Sequence, residues 1–163
     1  MKIENLEKDI QRNKDKSPET YNEISNLTVP FYMFYNKMYG GVCKLEEERF
    51  QMTHSELDIL SCLKMSENDE NILSPTKIQE RVLFTGGAIT KVLKKLEKKK
   101  YVIRVENEYD KRSKLVQLTP LGKEIHDKVM NEVLAFEAEC FSALNKEEQE
   151  NFKQMLLKML KNF

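Results

Sequence analysis

The segment from Thr85 to Lys94 combines threonine, glycine and lysine residues in a pattern suited to binding an anionic polymer. If this run is helical, its apolar positions share one face, and the outward face carries Gly87, Thr90, Lys91 and Lys94. Gly86 and Gly87 allow a duplex to approach the backbone closely, and the first amides together with Thr85 can bind a phosphate. Thr90 and Lys91 are then placed to reach base edges in a DNA major groove. The alternative is a solvated helix end whose lysines complement the helix dipole.

A second cluster, Asp110-Lys111-Arg112-Ser113-Lys114, places a carboxylate, a hydroxyl and three cations within five residues. Arginine has the reach and the permanent charge to enter a narrow minor groove, where the potential is most negative. Asp110 can orient Arg112, while the neighbouring Lys111, Ser113 and Lys114 can contact the DNA backbone. Taken alone, the segment is more typical of an ordinary charged turn, so its meaning depends on the elements around it.

The charge of the chain is unevenly distributed. The 163 residues contain 27 Lys plus Arg and 27 Asp plus Glu, which gives a net charge of zero. The stretch from Ser74 to Leu118 nevertheless holds twelve bases and five acids, a net charge of +7, and the remainder carries −7. A basic middle between acidic flanks indicates an anionic partner for the middle segment alone.

Three helices and two strands are predicted around these clusters. Thr53-His54-Ser55-Glu56 matches a capping box that begins one helix, Ser74-Pro75 begins a second, and Thr85-Gly86-Gly87 begins the third. Two β-rich runs follow, Tyr101 to Val105 and Leu115 to Leu118. The fold class is therefore mainly α with a small β-hairpin wing, a winged helix-turn-helix domain over residues 53–119.

The flanking segments are predicted to be helical as well, apart from a flexible N-terminal arm over residues 1–16. Ser17-Pro18-Glu19 predicts the start of a helix over 17–50, which Pro30 should kink or split. Two amphipathic helices complete the chain over 120–163. Because these helices carry more apolar surface than one small domain can cover, we predict that they form a symmetric homodimer.

Other classes of protein fit the sequence poorly. No apolar run approaches the roughly 18 to 20 residues of a membrane span, and the first residues lack the apolar stretch of a signal peptide, so we expect a cytoplasmic protein without membrane partners. Three separated cysteines and two scattered histidines predict no metal site. Since no nucleophile lies beside a base in a known motif, we expect neither an enzyme nor a bound cofactor.

The run from Leu73 to Gly122 resembles the winged-helix core of the MarR family of bacterial transcription regulators. The pattern Asp-x-Arg-Ser-x-x-Val-x-Leu-Thr-x-x-Gly is present as Asp110, Arg112, Ser113, Val116, Leu118, Thr119 and Gly122. The resemblance implies a triangular homodimer on double-stranded DNA with a pseudo-palindromic operator. It implies that the major groove meets Thr85, Gly86, Gly87, Thr90, Lys91 and Lys94. It also implies Arg112 in the minor groove and Ser74, Thr76 and Lys77 near phosphates.

Two positions depart from the family pattern. Family members usually have a glycine after the recognition helix, whereas this chain has Lys99-Lys100-Tyr101. A left-handed cap must therefore be formed by a residue other than glycine, or the helix must end differently. Pro30 within the first long helix is also unusual.

Candidate sensing residues lie in the first half of the chain. Regulators resembling this family often respond to small phenolic or other aromatic ligands, or to oxidants. An aromatic ligand would fit a cleft lined by Tyr32, Tyr35, Met38 and Tyr39, although side chains at this helical spacing are also typical of a simple core. Cys43 is the candidate redox residue, because the adjacent Lys44 is a cation that favours a thiolate. The alternative is an inert cysteine.

Together these features predict a homodimeric, sequence-specific DNA-binding transcription regulator, a repressor released by a small ligand or an oxidant. The alternative is a winged-helix protein-interaction module without sequence-specific DNA binding, in which the lysines only keep the surface soluble.

Overall fold

The computed structural model describes residues 5–67, 70–82, 86–107 and 114–162. Over these residues the chain forms seven helices and three short strands. In chain order they are α1 (Leu6–Lys16), α2 (Ser25–Phe50), α3 (His54–Lys64), β1 (Ile72–Leu73), α4 (Pro75–Val82), α5 (Gly86–Lys98), β2 (Val102–Glu106), β3 (Lys114–Leu118), α6 (Pro120–Cys140) and α7 (Lys146–Leu160). The chain divides into two compact units, Met1–Gly41 and Val42–Phe163.

The first unit departs from the sequence prediction in its helices. The segment predicted as a flexible arm contains α1, which has acids in its first turn and lysines in its last, as the helix dipole favours, and which buries none of its residues. Ser17 does not begin the long helix. Its backbone N–H instead donates to the carbonyl of Asn13 at 2.9 Å and ends α1. The long helix α2 begins only at Ser25 and runs unbroken through Pro30, so the predicted split does not occur.

The second unit is built on one hydrophobic core. Helices α3, α4, α5 and α6 contribute apolar side chains at steps of three and four, and the strands contribute alternate residues. The buried set includes Leu57, Leu60, Leu63, Ile78, Ile89, Leu93, Leu96, Val102, Val116, Leu118, Val129 and Val133. This core fixes the helix-turn-helix and the sheet as one body.

The sheet has three antiparallel strands in the order β1-β3-β2, one more than predicted. The hairpin pairs Val102 with Leu118 and Glu106 with Lys114, and β1 adds Leu73 opposite Val116. A two-residue strand is too short to show the alternation from which strands are predicted. The predicted hairpin itself is confirmed.

Helix α5 ends on a residue with a left-handed backbone that is not glycine. Lys100 has φ 60°, its N–H donates to the carbonyl of Glu97 at 2.9 Å, and Tyr101 N–H donates to that of Leu96 at 3.0 Å. These two bonds form a Schellman motif. The first of the two outcomes left open by the missing glycine is therefore the one observed.

The start of α6 is fastened to this helix end. Thr119 caps α6 by accepting from Gly122 N–H at 2.9 Å, and its hydroxyl also lies 2.9 Å from the Lys100 carbonyl oxygen. A Cβ atom on Gly122 would lie 2.0 Å from the carbonyl oxygen of Tyr101. Only glycine fits this close approach. We call the group Lys99, Lys100, Tyr101, Thr119 and Gly122 the α5–β2 junction.

A hydrogen-bonded chain also joins α3 to α6. Ser61 Oγ lies 3.0 Å from His126 Nε2, and His126 Nδ1 lies 3.0 Å from Asp127 Oδ1. Lys64 pairs with the same carboxylate. His126 is almost fully buried, so this chain ties the two helices together beneath the surface.

None of the helices in the described parts of the chain combines the length and the apolar character that crossing a membrane requires.

Candidate nucleic-acid interface

Helix α5 presents a polar, cationic face opposite its buried side. Ile89 and Leu93 point into the core, while Thr90, Lys91 and Lys94 are exposed, as their spacing predicts. Across the described residues no carboxylate pairs with Lys91 or Lys94. Their ammonium groups are therefore available to an external anion.

The lysine run at the other end of α5 has a different role. Lys99 Nζ lies 2.8 Å from Glu56 Oε1 and donates to the carbonyl of Gln51 at 2.8 Å. Glu56 is 2% exposed, so the partly exposed Lys99 neutralises a buried charge. Arg104 also pairs within the chain, with its Nε 2.6 Å from Glu97 Oε1. The basic segment thus divides into cations that hold the fold and cations that face outward.

Glu56 is the centre of the internal set. Its Oε2 accepts from the backbone N–H and the hydroxyl of Thr53, both at 2.9 Å. Burial opposes the charged form, but Lys99 and the two Thr53 donors outweigh it and lower the pKa of Glu56 below its ordinary value. The Thr53–Glu56 pair, predicted as a capping box, therefore also carries an interhelical ion pair.

The residues implied to lie near phosphates are at the start of α4. Ser74 precedes Pro75, and its Oγ accepts from the N–H of Lys77 at 3.2 Å, which caps the helix. Thr76 and Lys77 are exposed on the first turn. Lys77 therefore adds a cation near a helix N-terminus, the helix end that attracts anions.

In the wing, the structure describes the two strands but not residues 108–113 between them. Lys114 is exposed at the first position of β3, opposite Glu106. The backbone of Gly86 and Gly87 forms the first turn of α5. The other residues of the two clusters, Thr85, Asp110, Lys111, Arg112 and Ser113, lie outside the described residues, and their roles stay predictions.

The candidate aromatic residues lie in the unit formed by residues 1–41. Tyr32, Tyr35 and Tyr39 are 60%, 45% and 41% exposed, and Met38 is half-buried. The rings of Tyr35 and Tyr39 stack with their centroids 5.7 Å apart. The three tyrosines are therefore not core residues of the single chain, and their part in a ligand cleft stays a prediction.

A group of three side chains at the end of α2 was missed by the sequence reasoning. Cys43, Glu46 and His54 have candidate metal-ligating atoms within 4.8 Å of one another. Glu46 is fully buried, and burial raises its pKa although His54 Nδ1 lies 2.9 Å from its Oε1. The Nζ atom of Lys44, the cation expected to favour a thiolate at Cys43, lies 3.8 Å from Glu48 Oε1, and the redox role of Cys43 stays a prediction. The side chain of His54 is half-buried.

Part of this group could have been predicted from helical spacing. Cys43 and Glu46 are three residues apart and share one face of α2. His54 follows a three-residue connector in which Gln51 has a positive φ of 49°, which turns the chain back toward that face. The helix spacing was readable from the sequence, whereas the turn was not.

Helices α3 to α5, the hairpin and the outward cations define a winged helix-turn-helix protein. A profile of the MarR family matches residues 50–113. The HTH-type transcriptional regulator SarZ of Staphylococcus aureus (strain USA300) is 37% identical over 105 residues, covering 60% of this chain and 68% of that relative. The chain belongs to the MarR family.

Solved structures show the same fold. A MepR–DNA complex of S. aureus matches with a TM-score of 0.69 and 26% identity, covering 83% of this chain and 97% of that chain. YusO of Bacillus subtilis matches with a TM-score of 0.68 and 23% identity, covering 85% and 94%. The mainly helical fold with a small wing, and the family expected from the sequence, are confirmed.

Proposed function

We propose that this protein is a homodimeric, sequence-specific DNA-binding transcription regulator of the cytoplasm, a repressor released by a small ligand or an oxidant. The observation that carries the DNA-binding part is the outward face of α5. Thr90, Lys91 and Lys94 are exposed there while the opposite side of the same helix is buried. A helix held in this way can present side chains to a major groove without rearranging its core.

The remaining charge supports the same orientation. Lys77 on α4 and Lys114 on β3 are further exposed cations, one on the helix-turn-helix and one on the wing. The acidic remainder of the chain, net −7, would turn the opposite side of the protein away from the duplex. The MepR–DNA complex, a relative in fold, was solved with DNA bound.

Self-association is proposed from the terminal helices. Helix α7 buries none of its residues within one chain, and Met155, Leu157 and Leu160 are large exposed apolar side chains. In the other unit, Leu27 and Phe31 of α2 are exposed as well. A symmetric dimer would cover such surfaces and match a pseudo-palindromic operator.

The test begins with the selection of bound fragments from genomic DNA by the purified protein, followed by anisotropy measurements on a selected duplex. Lys91→Glu and Lys94→Glu should each weaken binding at least about tenfold, because each places a carboxylate against phosphate or a base edge. Lys128→Glu, on the exposed side of α6, is the matched charge reversal and should change binding little. Arg112→Ala tests the wing in the same assay.

The salt dependence separates specific binding from a merely basic surface. Loss of one phosphate contact should reduce the slope of log affinity against log salt by about one. If the unmodified protein selects no sequence and Lys91→Glu binds duplex DNA as well as Lys128→Glu does, the protein is instead the interaction module, and the proposal fails.

A further inference from the structure

The side chains of Cys43, Glu46 and His54 combine a thiol, a carboxylate and an imidazole at one point of the fold. Their candidate ligand atoms lie within 4.8 Å of one another. In a tetrahedral site with bonds of about 2.0 to 2.3 Å, neighbouring ligand atoms are separated by roughly 3.3 to 3.8 Å. Small changes of side-chain torsion are therefore enough to bring the three atoms around one ion.

Glu46 carries an acceptor that the protein does not use. Its side chain is fully buried, and His54 Nδ1 lies 2.9 Å from Oε1. Among the residues that the structure describes, Oε2 has no hydrogen-bond partner. A buried carboxylate oxygen without a partner is costly, because it has lost water without a replacement. A cation bound between the carboxylate and the thiol would supply that replacement.

The imidazole of His54 lies between two carboxylates. Its Nδ1 faces Glu46, and its Nε2 lies 3.6 Å from Asp58 Oδ1, one turn further along α3. The 3.6 Å to Asp58 is longer than a hydrogen bond, so binding an ion through Nδ1 means giving up the Nδ1–Oε1 contact with Glu46 and moving Nε2–H closer to Asp58, which would then hold the metal-binding tautomer. His54 is also 31% exposed on its side chain, which leaves a path from solvent.

We propose that Cys43, Glu46 and His54 bind a thiophilic divalent cation of the Zn²⁺ class, with the fourth position open to water. One thiolate and one imidazole favour Zn²⁺ over Mg²⁺ or Ca²⁺, which prefer oxygen ligands. Binding requires the thiol to lose its proton to solvent, so one proton is released for each thiolate–metal bond formed. The ion joins the end of α2 to the start of α3.

The competing explanation is that the Glu46–His54 pair only ties α2 to α3. Titration of chelator-treated protein with Co²⁺ alone distinguishes the two, because a thiolate–Co²⁺ bond gives a charge-transfer band in the near ultraviolet. We expect a band that saturates at one equivalent per chain and is displaced by Zn²⁺. An absent band, or one that never saturates, would overturn the proposal.

Variants assign the ligands. Cys43→Ser should abolish the band, and Glu46→Gln and His54→Gln should weaken binding at least about tenfold. Cys140→Ser, at a half-buried thiol of α6, is the matched control and should keep the band unchanged. If Cys43→Ser keeps the band, the ion is bound elsewhere and the assignment of Cys43 as a ligand is wrong.

Thermal unfolding provides a second readout that does not depend on colour. Zn²⁺ should raise the Tm of the unmodified protein and of Cys140→Ser equally, and that of Glu46→Gln, whose side chain keeps the shape of glutamate, by clearly less. Equal shifts in all three would contradict the site. Duplex binding in the presence of chelator is measured in parallel, so that failure of the metal site and failure of the DNA-binding proposal are told apart.

Discussion

Two buried glutamates stand on either side of the connector 51–53, and their surroundings differ. Glu56 receives two donors from Thr53 on one oxygen, and the Lys99 ammonium lies 2.8 Å from the other. Glu46 has His54 on one oxygen, and within the described ranges nothing hydrogen-bonds to the other. Their pKa values accordingly shift in opposite directions, lowered for Glu56 and raised for Glu46.

The difference shows how the partner decides what a buried carboxylate does. The backbone N–H and the hydroxyl of Thr53 together with the Lys99 ammonium make Glu56 part of the fold. Its Oε1, like Oε2 of Glu46, accepts no hydrogen bond from the described residues, but the Lys99 charge lies beside it. Glu46 has only a titratable neighbour and an acceptor left over. The first belongs to the scaffold that positions α5, and the second is the feature on which the proposed cation site rests.

The largest loss of stability is expected at Gly122, in the part of the structure that positions α5. Gly122→Ala should lower the free energy of unfolding by more than about 3 kcal/mol, since the added Cβ meets the Tyr101 carbonyl, a backbone atom. The control, Gly40→Ala, has nothing within 4 Å of the added Cβ and lies inside α2. It should be stabilising by up to about 1 kcal/mol. Urea denaturation followed by circular dichroism gives both values, and similar stabilities would contradict this picture of the α5–β2 junction.

Exchange of each glutamate for glutamine tests the comparison directly. Glu56→Gln should cost roughly 2 kcal/mol, because it removes a charge-assisted acceptor and leaves Lys99 beside a neutral group. Glu46→Gln should change stability by less than about 1 kcal/mol in metal-free protein, because burial opposes the charged form of Glu46 and a neutral amide of the same shape avoids that cost. Equilibrium denaturation at neutral pH is sufficient. Equal costs would show that the two sites do not differ in the way described.

The pH dependence of stability sharpens the same contrast. The folded pKa of Glu56 is lowered, so its ionised form contributes stability above the ordinary value of 4.5 and loses it as pH falls through the folded value. The stability difference between the unmodified protein and Glu56→Gln should therefore be constant near neutrality and shrink below about pH 4.5. A difference that persists unchanged into acid would assign the effect to packing rather than charge.

The smallest expected effect concerns the left-handed residue at the end of α5. Lys100→Gly should stabilise the protein by about 0.5 to 1 kcal/mol, because glycine adopts φ near 60° without steric cost. Lys95→Gly, one turn earlier within the helix, should instead cost about 1 kcal/mol. Paired thermal melts would show opposite signs, and a loss of stability in both variants would mean that Lys100 gains more from its side chain than its backbone costs.

Much of the fold could be predicted because local chemistry marks where its helices begin. Thr53 with Glu56, Thr119 with Pro120, and Asn145 each stand directly before an observed helix. The same reasoning failed at Ser17, where a hydroxyl, a proline and an acid imitate a helix start although the chain turns there. Two segments can carry equally strong local signals for a helix start, and tertiary packing then decides which of them begins a helix.

The site was predictable to a similar extent. The exposure of Thr90, Lys91 and Lys94 follows from helical spacing, and the observed face is as predicted. The structural use of Lys99 could not be read from a run of lysines, because its partner Glu56 is distant in sequence and meets it only through folding. The cluster of Cys43, Glu46 and His54 was missed for the same reason.

The anchoring of α5 has a mechanical consequence. Lys99 binds both the end of α2 and the start of α3, and Lys100 is fastened to Thr119, so the helix is clamped at its C-terminal end. With 13 residues, α5 extends about 20 Å from that clamp. Ile89 and Leu93 hold the other half of the helix in the core, and this second attachment matters because a tilt of only about 5° at the clamp would displace the far end by nearly 2 Å, about the margin between a made and a lost hydrogen bond.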